Sequence, residues 1–196
     1  MRTLPAFCAL WLALLCSCAN EKAIRPTLPA DVSINKGAGR GDELFATLHL
    51  ESGENLVFIV DTGCLSTLLD SSLEPQLGKP VGKERIKNAF YPNTTGNIYN
   101  AHPLYLGNTR LLTGRYVTTM DIKRIIGYPG RPVRGVLGMD CLRHYCVQLD
   151  FANSKIHFLN PDNLQSKNLG NKFQLRSKDW GGLSAFIDVS FCGKER

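Results

Sequence analysis

The sequence lacks the local signatures of several common enzyme classes. No Gly-x-Ser-x-Gly elbow is present, so a serine hydrolase would have no nucleophile in context. The four histidines, His49, His102, His144 and His157, form no His-x-x-x-His pair. The one metal-like cluster, Cys141-x-x-His144-x-Cys146, fits no common zinc spacing, and no metal is expected. The cluster Gly37-Ala38-Gly39-Arg40-Gly41 follows no strand and precedes no Gly-Lys-Ser/Thr, which argues against a phosphate loop. Strong charge of one sign is also missing. The 196 residues carry 23 basic and 17 acidic side chains, a net +6. The basic residues are scattered in small groups at Lys83-Glu84-Arg85, Lys123-Arg124 and Arg131-Pro132-Val133-Arg134. These read as solvated loops, and no nucleic-acid partner is expected.

What is present begins with a targeting segment. Arg2 supplies a short positive region, Ala6 to Leu15 is almost wholly apolar, and small residues follow at Cys16 to Ala19. That run is too short to span a bilayer comfortably. Residues 1–19 therefore read as a secretory signal cleaved after Ala19, or as a lipoprotein signal with Cys18 lipidated. Either way the mature chain is exported, and the second option implies a membrane tether through the N-terminus. Residues 20–41, with Pro26, Pro29 and the glycine cluster, read as a linker. Four body cysteines remain, Cys64, Cys141, Cys146 and Cys192. Three pairings are open to them in an oxidising compartment, and buried free thiols are equally compatible.

From residue 42 the pattern becomes that of a sheet protein. Leu44, Ala46, Leu48 and Leu50 alternate on one face. Ser52-Gly53-Glu54-Asn55 is a turn, and Leu56 to Val60 is a continuous β-branched and aromatic run, hence a buried strand. Further strands are expected at Ser66 to Leu69, Leu104 to Leu106, Tyr116 to Ile122 and Gly135 to Gly138. A hairpin is expected from Val147–Phe151 and Lys155–Leu159. Asn93 to Asn97 reads as a turn, and Asp140 as the cap of a short helix from Cys141 to Tyr145. The class is all-β, with one or two short helices.

The buried strand runs directly into Asp61-Thr62-Gly63. A carboxylate at the end of an apolar strand is costly unless it is used. Glycine at 63 allows a sharp turn and a close approach, and Thr62 offers a hydroxyl to a neighbouring loop. Two such loops face to face would let two aspartates share a proton. One would activate water while the other polarises a carbonyl, with their titrations split by like-charge repulsion. About 75 residues downstream, Val136-Leu137-Gly138 offers two apolar residues and a glycine to pack beneath such a loop.

The segment Phe58 to Cys64 followed by Ser66-Thr67, together with Gly135 to Leu142 and the closing hairpin, resembles the retropepsin-like aspartic proteases over about 42–160. The closest likeness is to their exported or membrane-tethered bacterial group. The resemblance implies a closed β-barrel domain with a flap over a peptide cleft, needing neither metal nor organic cofactor. It makes Asp61 the catalytic carboxylate, with Thr62, Gly63 and Cys64 supporting its loop. Val136, Leu137 and Gly138 would lie beneath, and Thr95 and Gly96 at the flap tip. Cys64 departs from the family, which usually has Ala or Ser there; a thiol is a weaker donor than a hydroxyl. The chain has one Asp-Thr-Gly and no Asp-Ser-Gly, so a dyad needs a second copy. Either a homodimer supplies it, or residues 161–196, where Leu183 to Gly193 alternates like Leu44 to Leu50, open a truncated second repeat. A final edge strand of the first domain explains that tail equally well. The function implied is an endopeptidase acting on peptide or protein. The alternative is a non-catalytic peptide-binding domain derived from one.

Overall fold

The computed structural model describes residues 27–86, 94–123, 132–160 and 162, and four short strands in the tail. The signal expected at 1–19 lies outside the described residues. Among the described residues no helix is long and apolar enough to cross a membrane.

The fold is mainly β with short helices, as the sequence pattern implied. Its centre is β3 (Asn55–Val60), which pairs antiparallel with β2 (Phe45–Leu50) and parallel with β10 (Val133–Leu137). The apolar run of β3 is continuous because both of its faces are covered. Leu56 and Phe58 join a large core with Leu48, Leu69, Leu137 and Phe158. Ile59 joins a second core with Phe45, Leu68, Met120 and Val136. On its other side β10 pairs antiparallel with β4 (Leu68–Asp70), which continues into a 3₁₀ turn (Ser71–Leu73) and α1 (Glu74–Leu77). With β5 (Gly82–Ile86), β6 (Thr94–Asn100), β7 (Leu104–Leu106), β8 (Thr109–Arg110) and β9 (Tyr116–Met120), nine strands form one sheet ordered β5-β6-β9-β4-β10-β3-β2-β7-β8.

Two sequence readings are corrected. Residues 20–41 read as a linker, yet β1 (Ala30–Ser33) lies within them. It pairs with β12 (Lys155–Leu159), which pairs in turn with β11 (Cys146–Asp150). Ala30 and Ile34 are buried, and Lys155 Nζ meets Asp31 Oδ2 at 2.8 Å. The glycine cluster is ordered too: Ala38 is buried, and the Phe151 ring lies where a Cβ on Gly39 would sit, 2.9 Å away. The second correction concerns Asn93 to Asn97. From Thr94 onward this segment is strand β6, held between β5 and β9.

In the tail, β13 (Arg176–Lys178) pairs with β14 (Ser184–Phe186), and β15 (Ser190–Phe191) with β16 (Lys194–Glu195). The run read as one alternating strand from Leu183 to Gly193 contains β14 and β15 as separate strands. Neither joins the nine-stranded sheet.

The junction of β3 and β10 depends on a missing side chain. A Cβ on Gly135 would collide with the ring of Phe58, which has no exposed surface. Gly135→Ala is expected to cost about 1–3 kcal/mol of stability through overpacking. Urea denaturation followed by circular dichroism measures it, and an unchanged midpoint would show that the ring has room to move.

Candidate active site

Asp61 is the first residue beyond β3. Leu137, at the end of β10, lies beside Val60, and the Asp61 amide donates to the Leu137 carbonyl at 3.1 Å. The loop then turns on itself. The Cys64 amide donates to the Asp61 carbonyl at 3.2 Å, and the Gly63 amide donates to Asp61 Oδ1 at 2.7 Å. A Cβ on Gly63 would sit 3.1 Å from that oxygen, tighter than most side chains tolerate. Gly63 serves by close approach; its φ does not lie in the left-handed region. Asp61, Thr62 and Gly63 are all exposed, which differs from the buried carboxylate expected from the sequence. Asp61 Oδ2 accepts no hydrogen bond among the described residues.

Beneath the loop, the segment after β10 is bonded to it at several points. Met139 donates its amide to the Cys64 carbonyl at 2.8 Å, and Asp140 donates its amide to the Leu65 carbonyl at 3.0 Å. Gly138 makes this approach possible, because a Cβ there would lie 2.7 Å from the Ser66 carbonyl and 2.9 Å from that of Cys64. Its amide donates to Thr67 Oγ1 at 3.3 Å. Val136 and Leu137 are buried, one in each core. Val136, Leu137 and Gly138 thus lie against the Asp61 loop.

Asp140 was read as a helix cap, and this is corrected. The short helix α2 spans Met139–Leu142 and begins from Gly138. The Asp140 carboxylate is buried and turned back to the loop. Its Oδ1 accepts from the Thr67 amide at 2.8 Å and the Thr67 hydroxyl at 2.7 Å, while Oδ2 accepts from the Gly114 amide at 3.2 Å. The sequence signal for this role was an acid in the apolar run Gly135 to Leu142, with a hydroxyl residue six positions beyond Asp61.

Solved structures similar to this chain include a retropepsin-like aspartic protease from Rickettsia conorii, with a TM-score of 0.40 and 13% identity over 66% of this chain and 89% of the other. Another is the retroviral protease-like domain of Ddi1 from Leishmania major, with a TM-score of 0.40 and 12% identity over 62% of this chain and 98% of the other. No family model and no curated protein matches the chain.

The remaining candidates divide. Cys64 is half-buried, and its thiol donates to the Ser66 carbonyl at 3.0 Å. Burial first, and then the charges of Asp61 and Asp140, push it up to about 11. It is protonated at neutral pH and unsuited to act as a nucleophile. Cys141 is a buried free thiol and Cys146 a half-buried one. His49 stacks on Tyr105 and contacts the Leu50 and Gly107 carbonyls, while His102 contacts that of Leu77. Among the described residues no group of three or more His, Cys, Asp or Glu is placed to hold a metal. Thr95 and Gly96, expected at a flap tip, lie inside β6; Gly96 is buried, and a Cβ there would strike Thr118 Cγ2 at 2.6 Å.

The Asp140 contacts make a direct stability prediction. Asp140→Ala would remove the acceptor of two buried donors on Thr67 and of the part-buried Gly114 amide, and is expected to cost about 3 kcal/mol. Asp140→Asn keeps acceptor capacity and should cost less than half as much. Guanidinium unfolding of the two variants tests this, and equal losses would show that the packed volume matters more than the hydrogen bonds.

Proposed function

We propose that this chain supplies one half of an aspartic endopeptidase site, with Asp61 as the reacting carboxylate. The observation that carries the reading is the state of that side chain. One oxygen is fixed by Gly63, the other accepts no hydrogen bond among the described residues, and the backbone around it is tied down through Leu137, Met139 and Asp140. A carboxylate presented in this way can take a proton from water. It cannot also polarise a carbonyl, which needs an acid of higher pKa beside it.

The second acid comes from a second copy of the chain. Thr62 and Gly63 are exposed with Asp61, so the loop offers a self-complementary patch that a twofold axis can close on itself. In the pair the two Asp61 carboxylates share one proton. The ionised one activates water and the protonated one donates to the scissile carbonyl of a peptide. No metal or organic cofactor takes part. The signal-like pattern of residues 1–19 supports an enzyme that is exported, as a periplasmic, secreted or membrane-tethered protein.

One feature favours a second reading, a peptide-binding domain without catalysis. Each chain carries a single Asp-Thr-Gly, so a strict monomer has no dyad. Mixing separates the two readings. If both Asp61 residues are needed, an equimolar mixture of wild type with Asp61→Asn, allowed to exchange partners, retains about one quarter of the activity of the same amount of wild type. If each chain acted alone, it would retain about one half. Asp61→Asn by itself is expected to lower peptide cleavage between about pH 4 and 7 by about 100- to 10,000-fold. Cleavage that survives the substitution unchanged would overturn the assignment, and a protein that sediments as a monomer and cleaves nothing would establish the binding reading.

A further inference from the structure

The hairpin of β5 and β6 ends the nine-stranded sheet. Strand β6 pairs with β9 in the register Asn97↔Thr119 and Ile98↔Thr118, and β5 pairs only with β6 among the described residues. Two carboxylates, one on each face, add to what those strand bonds supply.

On one face the carboxylate is Glu74, the first residue of α1. It accepts from Asn97 Nδ2 at 2.9 Å and from Thr119 Oγ1 at 2.5 Å, and the Tyr99 hydroxyl also donates to it. Asn97 and Tyr99 are two apart on β6, so they share a face. One side chain of α1 therefore gathers β6 and β9 together. On the opposite face the carboxylate is Glu84 of β5, which sits across from Gly96. It reaches over β6 to accept from the Thr118 hydroxyl on β9. Gly96 leaves that lane clear, since a Cβ there would fall on Thr118 Cγ2 and the Thr119 carbonyl.

Every group aimed at Glu74 by these strands is a donor. The charged groups facing it are few: Lys83 from β5 and the titratable Tyr99 from β6, with only the hydroxyl of Thr119 from β9. Bonds to an ionised acceptor are roughly twice as strong as those between neutral partners. A proton on the carboxyl removes that charge and takes up one of its acceptor sites, and the Thr119 hydroxyl has the Asn97 carbonyl at 3.3 Å as a second acceptor to turn to. We propose that the β5–β6 hairpin is an acid-released arm: ionised Glu74 docks it on α1 and β9, and protonation of Glu74 lets it detach while β2, β3 and β10 stay folded.

The direction follows from linkage. The Thr119 hydroxyl first, then Asn97, Tyr99 and Lys83, hold the Glu74 carboxyl below its ordinary value of 4.5 against the opposing effect of burial. A depressed carboxylate stabilises the docked form above that ordinary value, and the contribution is lost as pH falls through the depressed one. Release therefore belongs to the acid side of 4.5.

Hydrogen exchange on the full chain, resolved by peptide and corrected for intrinsic rates, tests the idea between pH 7 and 3.5. In wild type, β5 and β6 amides should lose about tenfold in protection relative to β3 as the pH falls, the scale of one lost hydrogen bond to a charged acceptor. Glu74→Gln should show that loss already at pH 7, with β3 still protected as the check on folding. The proposal fails if wild-type β5 and β6 track β3 throughout the range, or if Glu74→Gln leaves them protected at pH 7. Should the variant not fold, the wild-type series decides alone. Because exchange reads no peptide cleavage, the result is independent of the role given to Asp61.

Discussion

The hydrogen bonds between the Asp61 loop and the segment Leu137 to Asp140 are the constraint on which the rest of the site depends. Two stretches separated by about 75 residues exchange amide and carbonyl groups at three points, and the buried Asp140 carboxylate binds Thr67 at two more. A loop of this kind has few apolar contacts of its own, and an isolated turn ending in Asp-Thr-Gly would sample many conformations. Here its backbone is held from below by groups that are themselves in the core or against it. The price is paid in side chains that cannot be present: Gly135 beside Phe58, and Gly138 beside Ser66.

The same logic explains which parts of the fold were legible in the sequence. Strand β3 was readable because Leu56, Phe58 and Ile59 are buried on two faces, and continuous apolar runs of that length have few other uses. The hairpin of β11 and β12 was readable because its turn residues lie next to its partner strands. Residues 30–33 were not. Their strand exists through pairing with residues 155–158, more than 120 positions away, and nothing local announces it. Thr94 to Asn97 misled for a related reason. Thr-Thr-Gly-Asn carries turn composition, but Gly96 is demanded by crowding from Thr118 and Thr119, which lie on another strand. A glycine selected by a non-local neighbour looks in sequence like a glycine selected by a turn.

The candidate site divides along the same line. Asp61-Thr62-Gly63 stood out because an acid, a hydroxyl and a glycine follow directly on an apolar strand, whereas the crowding that Gly138 relieves comes from Cys64 and Ser66, more than 70 positions away. Asp140 was read as the cap of a short helix, the commoner local role of an acid at such a place. Its actual partners, Thr67 and Gly114, come from two other elements. Glu74 gave no sign at all. A glutamate at the start of a short helix reads as a favourable end charge, and only the sheet shows three donors converging on it.

Comparison of the two aspartates nearest the loop shows what each can do. Asp140 is buried, and both of its oxygens accept hydrogen bonds, Oδ1 from Thr67 and Oδ2 from the Gly114 amide. Those bonds tie the lower side of the loop to α2, so the side chain holds a geometry. Asp61 is the reverse: exposed, fixed through one oxygen by a backbone amide four covalent bonds from its own carbonyl, and open at the other. One buried carboxylate immobilises the loop from below, and the second sits exposed at its tip, held through a single oxygen among the described residues, so the position of the exposed group is set by the buried one.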